Sequence, residues 1–308
     1  MEFLRLLEGL RTPFFDELMA AVTYCGNEIV FMVVALILFW CVSKRQGCYL
    51  LLTGLYATVL VQAAKPIFCI PRPWVIDPGF TIVEAARADA GGFSFPSGHA
   101  QNISGTLGAL FLARKEKWLR TLCVVLIVLV CFSRMYLGVH TPLDVLVGAG
   151  IGLLCAAVLF RFCRDDAVFA RSFKALFAIG IGLTLAYLLF IELFPFPAEV
   201  DAENLQHGID SAYTLMGCVL AVPMMWLYDQ KHPFSVDAPP AGQLLKVALG
   251  LGLLLAVRAG LKALFAAVGF VTPIADTVRY FCIVFTGGVL WPLTFPFFRK
   301  IGRREVPQ

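Results

Sequence analysis

Apolar residues run in long unbroken blocks along this 308-residue chain, with polar residues gathered in short clusters between them. Blocks such as "IVFMVVALILFWCV" and "TLCVVLIVLVCF" are continuous and do not alternate, which selects helices over strands. A bilayer-spanning helix needs about 20 mainly apolar residues. The pattern predicts such spans at 18–42, 48–65, 98–113, 118–133, 142–160, 174–194, 211–228, 243–268 and 277–298. The third is the most diluted, by Gln101, Asn102 and several small residues. The expected fold is all-α, a polytopic transmembrane helical bundle of about nine spans.

Composition agrees with a lipid solvent. The chain is 59% hydrophobic and 15% charged, with mean hydropathy +0.81, whereas soluble domains are about a quarter charged. Charge then orients the bundle. With the N-terminus outside, the inner segments 43–47, 114–120, 161–174, 229–246 and the tail from 299 hold sixteen of the 25 Lys and Arg. The outer segment 195–210 carries Glu199, Asp201, Glu203 and Asp210 and no cation, as the positive-inside rule requires. Trp40, Trp118, Trp226 and Trp291 fall near inner helix ends and Trp74 in an outer loop, where interfacial anchors are expected. The first eleven residues carry Glu2, Arg5, Glu8 and Arg11 and lack the apolar core of a cleavable signal. Most of the ten cysteines lie within spans without metal-like spacing, and are expected to pack as small apolar residues. Membrane lipids, and no nucleic acid, are the expected surroundings.

Three polar clusters fall at outer helix ends. "AAKPIFCIPRPW" supplies Lys65, Arg72 and Pro73; "FPSGHAQN" supplies Ser97, Gly98 and His99; "SRMYLGVHTPLDV" supplies Ser133, Arg134, His140 and Asp144. Each has an ordinary reading. Lys65 could snorkel to the interface, Pro96 and Ser97 could only start a helix, and Asp144 could complete a capping box with Thr141. Taken together, so many ionisable groups at one face of a charge-poor membrane chain point to function.

The chemistry that fits is phosphoryl transfer, which needs cations and N–H donors around the non-bridging oxygens, a nucleophile in line and an acid for the leaving oxygen. Lys65, Arg72 and Arg134 can supply charge, and the Ser97–Gly98 turn can offer backbone N–H groups at a helix start. Asp144 lies four residues after His140, so it can hold the imidazole Nδ1–H and leave Nε2 to attack phosphorus. His99 has no carboxylate at such spacing and suits the acid. The absence of a carboxylate cluster argues against magnesium, and these spacings against zinc; no cofactor is expected.

These stretches resemble the signature of the type 2 phosphatidic acid phosphatase superfamily, which includes vanadium haloperoxidases and microsomal sugar-phosphate phosphatases. The three parts are Lys, six residues, Arg-Pro; Pro-Ser-Gly-His; and Ser-Arg, five residues, His, three residues, Asp. All three occur here, in order, between Lys65 and Asp144. The resemblance implies metal-independent hydrolysis through a phosphohistidine on His140, with Asp144 orienting it and His99 as acid. It also implies that Lys65, Arg72, Ser97, Gly98 and Arg134 hold phosphate. A six-helix family core would cover residues 1–195, with three further helices in 196–308 packed on it.

The expected substrate is a lipid phosphate or diphosphate monoester taken from the outer leaflet of a bacterial cytoplasmic membrane: undecaprenyl diphosphate, phosphatidic acid, phosphatidylglycerol phosphate or a sphingoid phosphate. A phosphotransferase would share the first half-reaction, and a lipid or anion transporter could use the same cations for binding alone. Arg258 and Lys262, one helical turn apart in the eighth span, are expected to face the bundle. There they would meet a headgroup or an acidic partner such as Glu28, Glu192 or Asp276.

Overall fold

A computed structural model describes residues 1–301, and every regular element among them is helical. Arg303 and Arg304 of the predicted basic tail lie outside the described residues. An amphipathic helix, α1 (Glu2–Glu8), buries Leu4 and Leu7 and leaves Leu6 exposed. It is followed by α2 (Pro13–Tyr24) and α3 (Glu28–Ile37). The single first span expected over 18–42 is in fact a pair of helices bent by 45°. The break falls where Asn27 caps the N–H of Ile29 at 3.0 Å, and a fresh cap starts a new helix instead of extending the old one.

The centre of the bundle is made by α4 (Lys44–Phe68), α6 (Gly98–Ala113) and α8 (Pro142–Cys163), with the single-turn α5 (Pro73–Ile76) in the loop between the first two. Small residues bring α6 and α8 together. A methyl group at Gly148 would collide with the Ser97 carbonyl oxygen, and one at Gly152 would lie 2.5 Å from that of Gln101. Around this centre stand α7 (Lys117–Tyr136), α9 (Asp166–Leu193) and α10 (Ala202–Lys231). Ala212, Leu215 and Val219 of α10 pack with Leu55 and Val59 of α4 and with Tyr187 and Ile191 of α9. The last helices are α11 (Pro240–Ala267) and α12 (Pro273–Phe285), the latter closed against α10 where Gly217 meets the Thr277 carbonyl.

Seven helices are long and apolar enough to cross a bilayer, or eight if the bent α2–α3 pair is one span. The difference from nine is α6. Its 16 residues extend about 24 Å, short of the ~30 Å hydrocarbon thickness.

Two tryptophans depart from expectation. Trp40 is fully buried and Trp291 nearly so, so neither anchors at an interface. They pack together in the core, where Trp40 Nε1 donates to the Gly287 carbonyl at 2.9 Å. That carbonyl belongs to a widened π turn over Thr286–Leu290, and the indole N–H finds its partner there. Trp118, by contrast, is 69% exposed. Lys246, expected in an inner loop, is buried in the first turns of α11 and donates to the carbonyls of Trp40 and Val236, both at 2.8 Å.

Candidate active site

All three polar clusters meet at one end of the central helices. Helix α4 stops at Cys69, whose φ of 48° turns the chain left-handed just after Lys65 and leads it into the Arg72 loop. Ser97 caps α6, accepting from the Ala100 N–H at 3.5 Å, and the first turn that follows begins Gly98–His99. Between α7 and α8, Gly138 adopts φ +83°, a turn conformation that suits glycine, and delivers Val139 and His140 inward. His140, Asp144, Arg134, Arg72, Ser97 and Lys65 are all buried, while His99 and Gly98 are partly exposed.

Asp144 is the hub of the site. Its Oδ2 accepts from the Ser94 hydroxyl at 2.6 Å and from the Thr141 N–H at 2.8 Å, and lies 3.5 Å from His140 Nδ1. Its N–H is capped in return by Thr141 Oγ1 at 3.3 Å. One carboxylate thus caps the start of α8 and also faces the imidazole. Its main-chain oxygen also accepts the Ser97 N–H at 2.9 Å, which ties the α6 start to the α8 start.

Arg72 fixes the other side of the imidazole. Nη1 lies 2.9 Å from His140 Nε2 and also donates to the Val139 carbonyl at 3.0 Å. Nε and Nη2 donate to the carbonyls of Gly92 and Gly91 at 3.1 and 2.7 Å. A guanidinium has no acceptor, so Nε2 must present its lone pair, and the ring proton sits on Nδ1 facing Asp144. Burial, and then the charges of Arg72, Arg134 and Lys65, push the His140 imidazolium well below the ordinary histidine range. The free imidazole is neutral, with an unprotonated nitrogen among cations.

Several donors here are left over. Arg134 is completely buried, and Nη1 donates to Thr23 Oγ1 at 2.8 Å, but its Nε and Nη2 have no protein partner. His99 Nε2 is likewise buried without one. Orphaned buried donors on a cation are costly unless an acceptor arrives to meet them. The N–H groups of Gly98 and His99 are those that a first helical turn cannot satisfy internally. The Ser97 N–H and hydroxyl, in contrast, are engaged by Asp144 and Ala100 in this state. The arrangement can take a small tetrahedral anion among Lys65, Arg72, Arg134 and the start of α6. Among the described residues, no group of three His, Cys, Asp or Glu is placed to hold a metal ion.

Three contributors escaped the sequence reading: Ser94, Thr23 and His207. Ser94 lies only three residues before Ser97, but nothing in the pattern shows that it reaches Asp144. Thr23 comes from the other side of the bundle, on α2. His207, on α10, packs against Gly91 and Gly92, the residues whose carbonyls hold Arg72.

Residues 46–167 match the PAP2 superfamily, and residues 213–303 match the transmembrane extension of PAP2 superfamily phosphatases. Over 154 residues the chain is 32% identical to the undecaprenyl-diphosphatase of Sulfolobus acidocaldarius, covering 49% of this chain and 72% of that one. It is 31% identical over 164 residues to the lipid A 4'-phosphatase of Bacteroides thetaiotaomicron, 49% of this chain and 71% of the relative. With the sphingosine-1-phosphate phosphatase 1 of Mus musculus it shares 26% over 257 residues, 77% of this chain and 57% of the relative. Bundle, site and relatives together define an integral membrane phosphatase, a hydrolase of phosphoric esters. The chain belongs to the PAP2 superfamily. Its last helices, which the three motifs do not reach, match that family's transmembrane extension.

Proposed function

We propose that this protein hydrolyses lipid phosphate or diphosphate monoesters by way of a phosphohistidine on His140. The observation that carries the reading is the line from Asp144 Oδ2 to His140 Nδ1, and from Nε2 to the Arg72 guanidinium. The Nε2 lone pair attacks phosphorus, and the bond to the ester oxygen breaks. His99 gives its proton to that leaving oxygen. Asp144 stabilises the positive charge that develops on the ring. Lys65, Arg72, Arg134 and the N–H groups at the Ser97–Gly98 start of α6 take up the non-bridging oxygens, with Arg72 passing its Nη1 from Nε2 to phosphate. A water then attacks the phosphohistidine, His99 takes its proton, and inorganic phosphate leaves while Nε2 recovers its electron pair.

The names of the relatives support a lipid substrate: each acts on a phosphate carried by a membrane lipid or a long-chain base. We read residues 1–195 as the catalytic core and 196–308 as helices packed on it. The basic clusters Lys44–Arg45 and Arg114–Lys115 lie at the opposite helix ends from His140. That supports an active site on the extracytoplasmic face of a bacterial membrane.

The test is phosphate release from undecaprenyl diphosphate, phosphatidic acid, phosphatidylglycerol phosphate and a sphingoid phosphate in detergent, beside trapping of an acid-labile, base-stable phosphoenzyme. Full activity in EDTA and loss of the trapped species in His140→Ala are expected. A phosphoenzyme retained by that variant, or activity that needs added magnesium, would overturn the mechanism.

A further inference from the structure

The break between α2 and α3 touches the catalytic cluster at two points. Three successive N–H groups, of Cys25, Gly26 and Asn27, donate back to the carbonyls of Val22, Thr23 and Tyr24 at 3.1, 2.9 and 3.0 Å. Helix α2 therefore ends in a tightened turn of about three residues, in which positions three apart lie on one face. Thr23 and Gly26 share the face turned into the bundle and are buried, while Tyr24 and Cys25 between them are exposed.

Thr23 meets the arginine of the site. Its Oγ1 accepts from Arg134 Nη1 at 2.8 Å, and both side chains are buried. Arg134 Nε and Nη2 are buried without a protein partner. These two nitrogens form one edge of the guanidinium, a fork that matches two oxygens of a phosphate. With Nη1 tethered, the planar group is held in one orientation and the fork is ready for an oxyanion.

Gly26 meets the histidine. A methyl group there would lie 3.1 Å from the His99 carbonyl oxygen, 3.3 Å from His99 Cβ and 2.8 Å from Val130 Cγ1. The bare α-carbon thus sets where the first turn of α6 can stand, and with it the ring whose Nε2 is buried without a partner. Helix α2 has a separate hold on α7. The Tyr136 hydroxyl donates to Asp16 Oδ1 at 2.9 Å and accepts the Thr12 N–H at 3.3 Å, and Met19 packs in the same cluster as Tyr136. That hold involves neither the Thr23 hydroxyl nor the missing Cβ at Gly26.

We infer that Thr23 and Gly26 are positioning residues for phosphate transfer. Thr23 aims the free edge of Arg134 at the non-bridging oxygens, and Gly26 seats His99 beside the leaving oxygen. The inference rests on the roles given to Arg134 and His99 in the proposed reaction. It gives a part in the chemistry to a break that lies ahead of the Lys65–Asp144 stretch carrying the three motifs.

The experiment compares wild type, Thr23→Val, Thr23→Ser, Gly26→Ala and Tyr136→Phe in mixed micelles. Phosphatidic acid and soluble p-nitrophenyl phosphate serve as substrates, and inorganic phosphate as competitor. Thr23→Val keeps the shape and removes the acceptor. Its inhibition constant for inorganic phosphate should rise about tenfold, and kcat/KM should fall by about as much on both substrates, mostly through KM. Thr23→Ser should keep most of the wild-type values. Gly26→Ala displaces the acid, so kcat/KM should fall about tenfold on phosphatidic acid, whose alkoxide leaves poorly. On p-nitrophenyl phosphate, whose leaving group needs little protonation, the fall should stay within about threefold, and inorganic phosphate should bind as before. Tyr136→Phe, which loosens α2 through contacts outside the site, should melt lower and match wild type in every kinetic reading.

Unchanged phosphate affinity in Thr23→Val, or equal loss in Thr23→Ser, would overturn the role of Thr23. A Gly26→Ala loss that is equal on both substrates, or absent, would overturn that of Gly26. The same kinetic pattern from Tyr136→Phe would reduce the turn to a matter of stability. Should Thr23→Val fail to fold, Thr23→Ala takes its place; should Gly26→Ala fail, it is compared on a Val130→Ala background, which clears the other contact. A wild type that releases phosphate from no lipid would sink the activity itself, a different failure from active variants that match wild type.

Discussion

Helices α8 and α11 are both long, apolar and glycine-bearing, yet they live in different solvents. In α8, Gly148 and Gly152 press on the backbone of α6 at distances no methyl group could share, and Asp144 at its start is buried in four polar contacts. In α11, three residues are buried and most of the rest face lipid. Hydropathy alone does not tell them apart, since both are apolar enough to cross a membrane. What separates them is where the polar residues fall. In α8 Asp144 sits at the capped start, within reach of loops that answer it; in α11 Lys246 is answered near the start, but Arg258 and Lys262 lie exposed in the second half. A membrane helix that carries chemistry is recognised by what its polar end touches.

The largest expected effect breaks the site side of this comparison. His140→Asn removes the nucleophile but keeps a side chain of similar reach, and should lower turnover by more than about a thousandfold. Thermal melting in detergent should change little. On α11, Leu255→Ala removes a side chain that is 64% exposed and should leave both readings unmoved. A phosphate-release assay beside a melting curve checks the pair. Comparable losses in the two variants would mean that the site is not where it has been placed.

Packing supplies the next contrast, and α8 contains its own control. Gly148→Ala and Gly152→Ala each force backbone apart where α6 begins, at a cost of about 1–3 kcal/mol. Ser97 and Gln101 would shift with it, so activity should fall along with melting temperature. Gly150 and Gly252 have nothing within 4 Å of an added methyl. There, alanine should stabilise by about 0.5–1 kcal/mol through helix propensity. If all four glycines behaved alike, close contact between α6 and α8 could not be what positions the cradle.

Ser94→Ala comes third. It takes a 2.6 Å hydrogen bond from the buried Asp144 carboxylate and leaves the carboxylate's bond from Thr141 intact. Hydrogen bonds to charged groups contribute about 1.5–3 kcal/mol, so kcat should drop by roughly tenfold or somewhat more. KM should hold, because Ser94 faces Asp144 and not the phosphate cradle. A raised KM with unchanged kcat would place Ser94 in binding instead of in orientation.

Ser94 also marks the limit of what could be read before the fold. Lys65, Arg72, His99, Arg134, His140 and Asp144 could be picked out because they fall at fixed spacings within short stretches, and the fold brings those stretches to one end of the central helices. The all-helical bundle was legible because lipid demands long apolar runs. Ser94, Thr23 and His207 were not, since each reaches the site from an element whose approach depends on tertiary packing. Trp40 and Trp291 looked interfacial for the same reason: position in a span says how deep a ring sits, not whether another helix covers it. The bend at Gly26 was hidden by reading 18–42 as one span, although Asn27 and Glu28, which interrupt its apolar residues, are the start signal of a new helix. In α11 the sequence showed two cations one turn apart, Arg258 and Lys262, and suggested that they face the bundle; both are exposed instead.

The smallest effect belongs to the clip by which α1 holds the loop before the cradle. Arg5 pairs with Asp77 at 2.6 Å, and Glu8 accepts the Thr81 N–H at 2.8 Å, the Thr81 hydroxyl, and Arg5 at 2.9 Å. The Thr81 hydroxyl above all, helped by the Thr81 N–H and Arg5 against partial desolvation, holds the Glu8 carboxyl down at about 2. A carboxyl with a depressed folded pKa stabilises at pH values above its unfolded pKa, about 4.3, and that contribution is lost as pH falls towards 2. Glu8→Gln should therefore melt slightly below wild type at pH 7, and the gap should close between about pH 4 and 2. Turnover should change less than twofold, because exposed ion pairs of this kind contribute little and the clip reaches Thr81, well before Ser94 in the chain. A gap that persisted unchanged at pH 2 would mean that Glu8 works by shape, and that the loop is held by Leu4 and Leu7 beneath α1 instead of by charge.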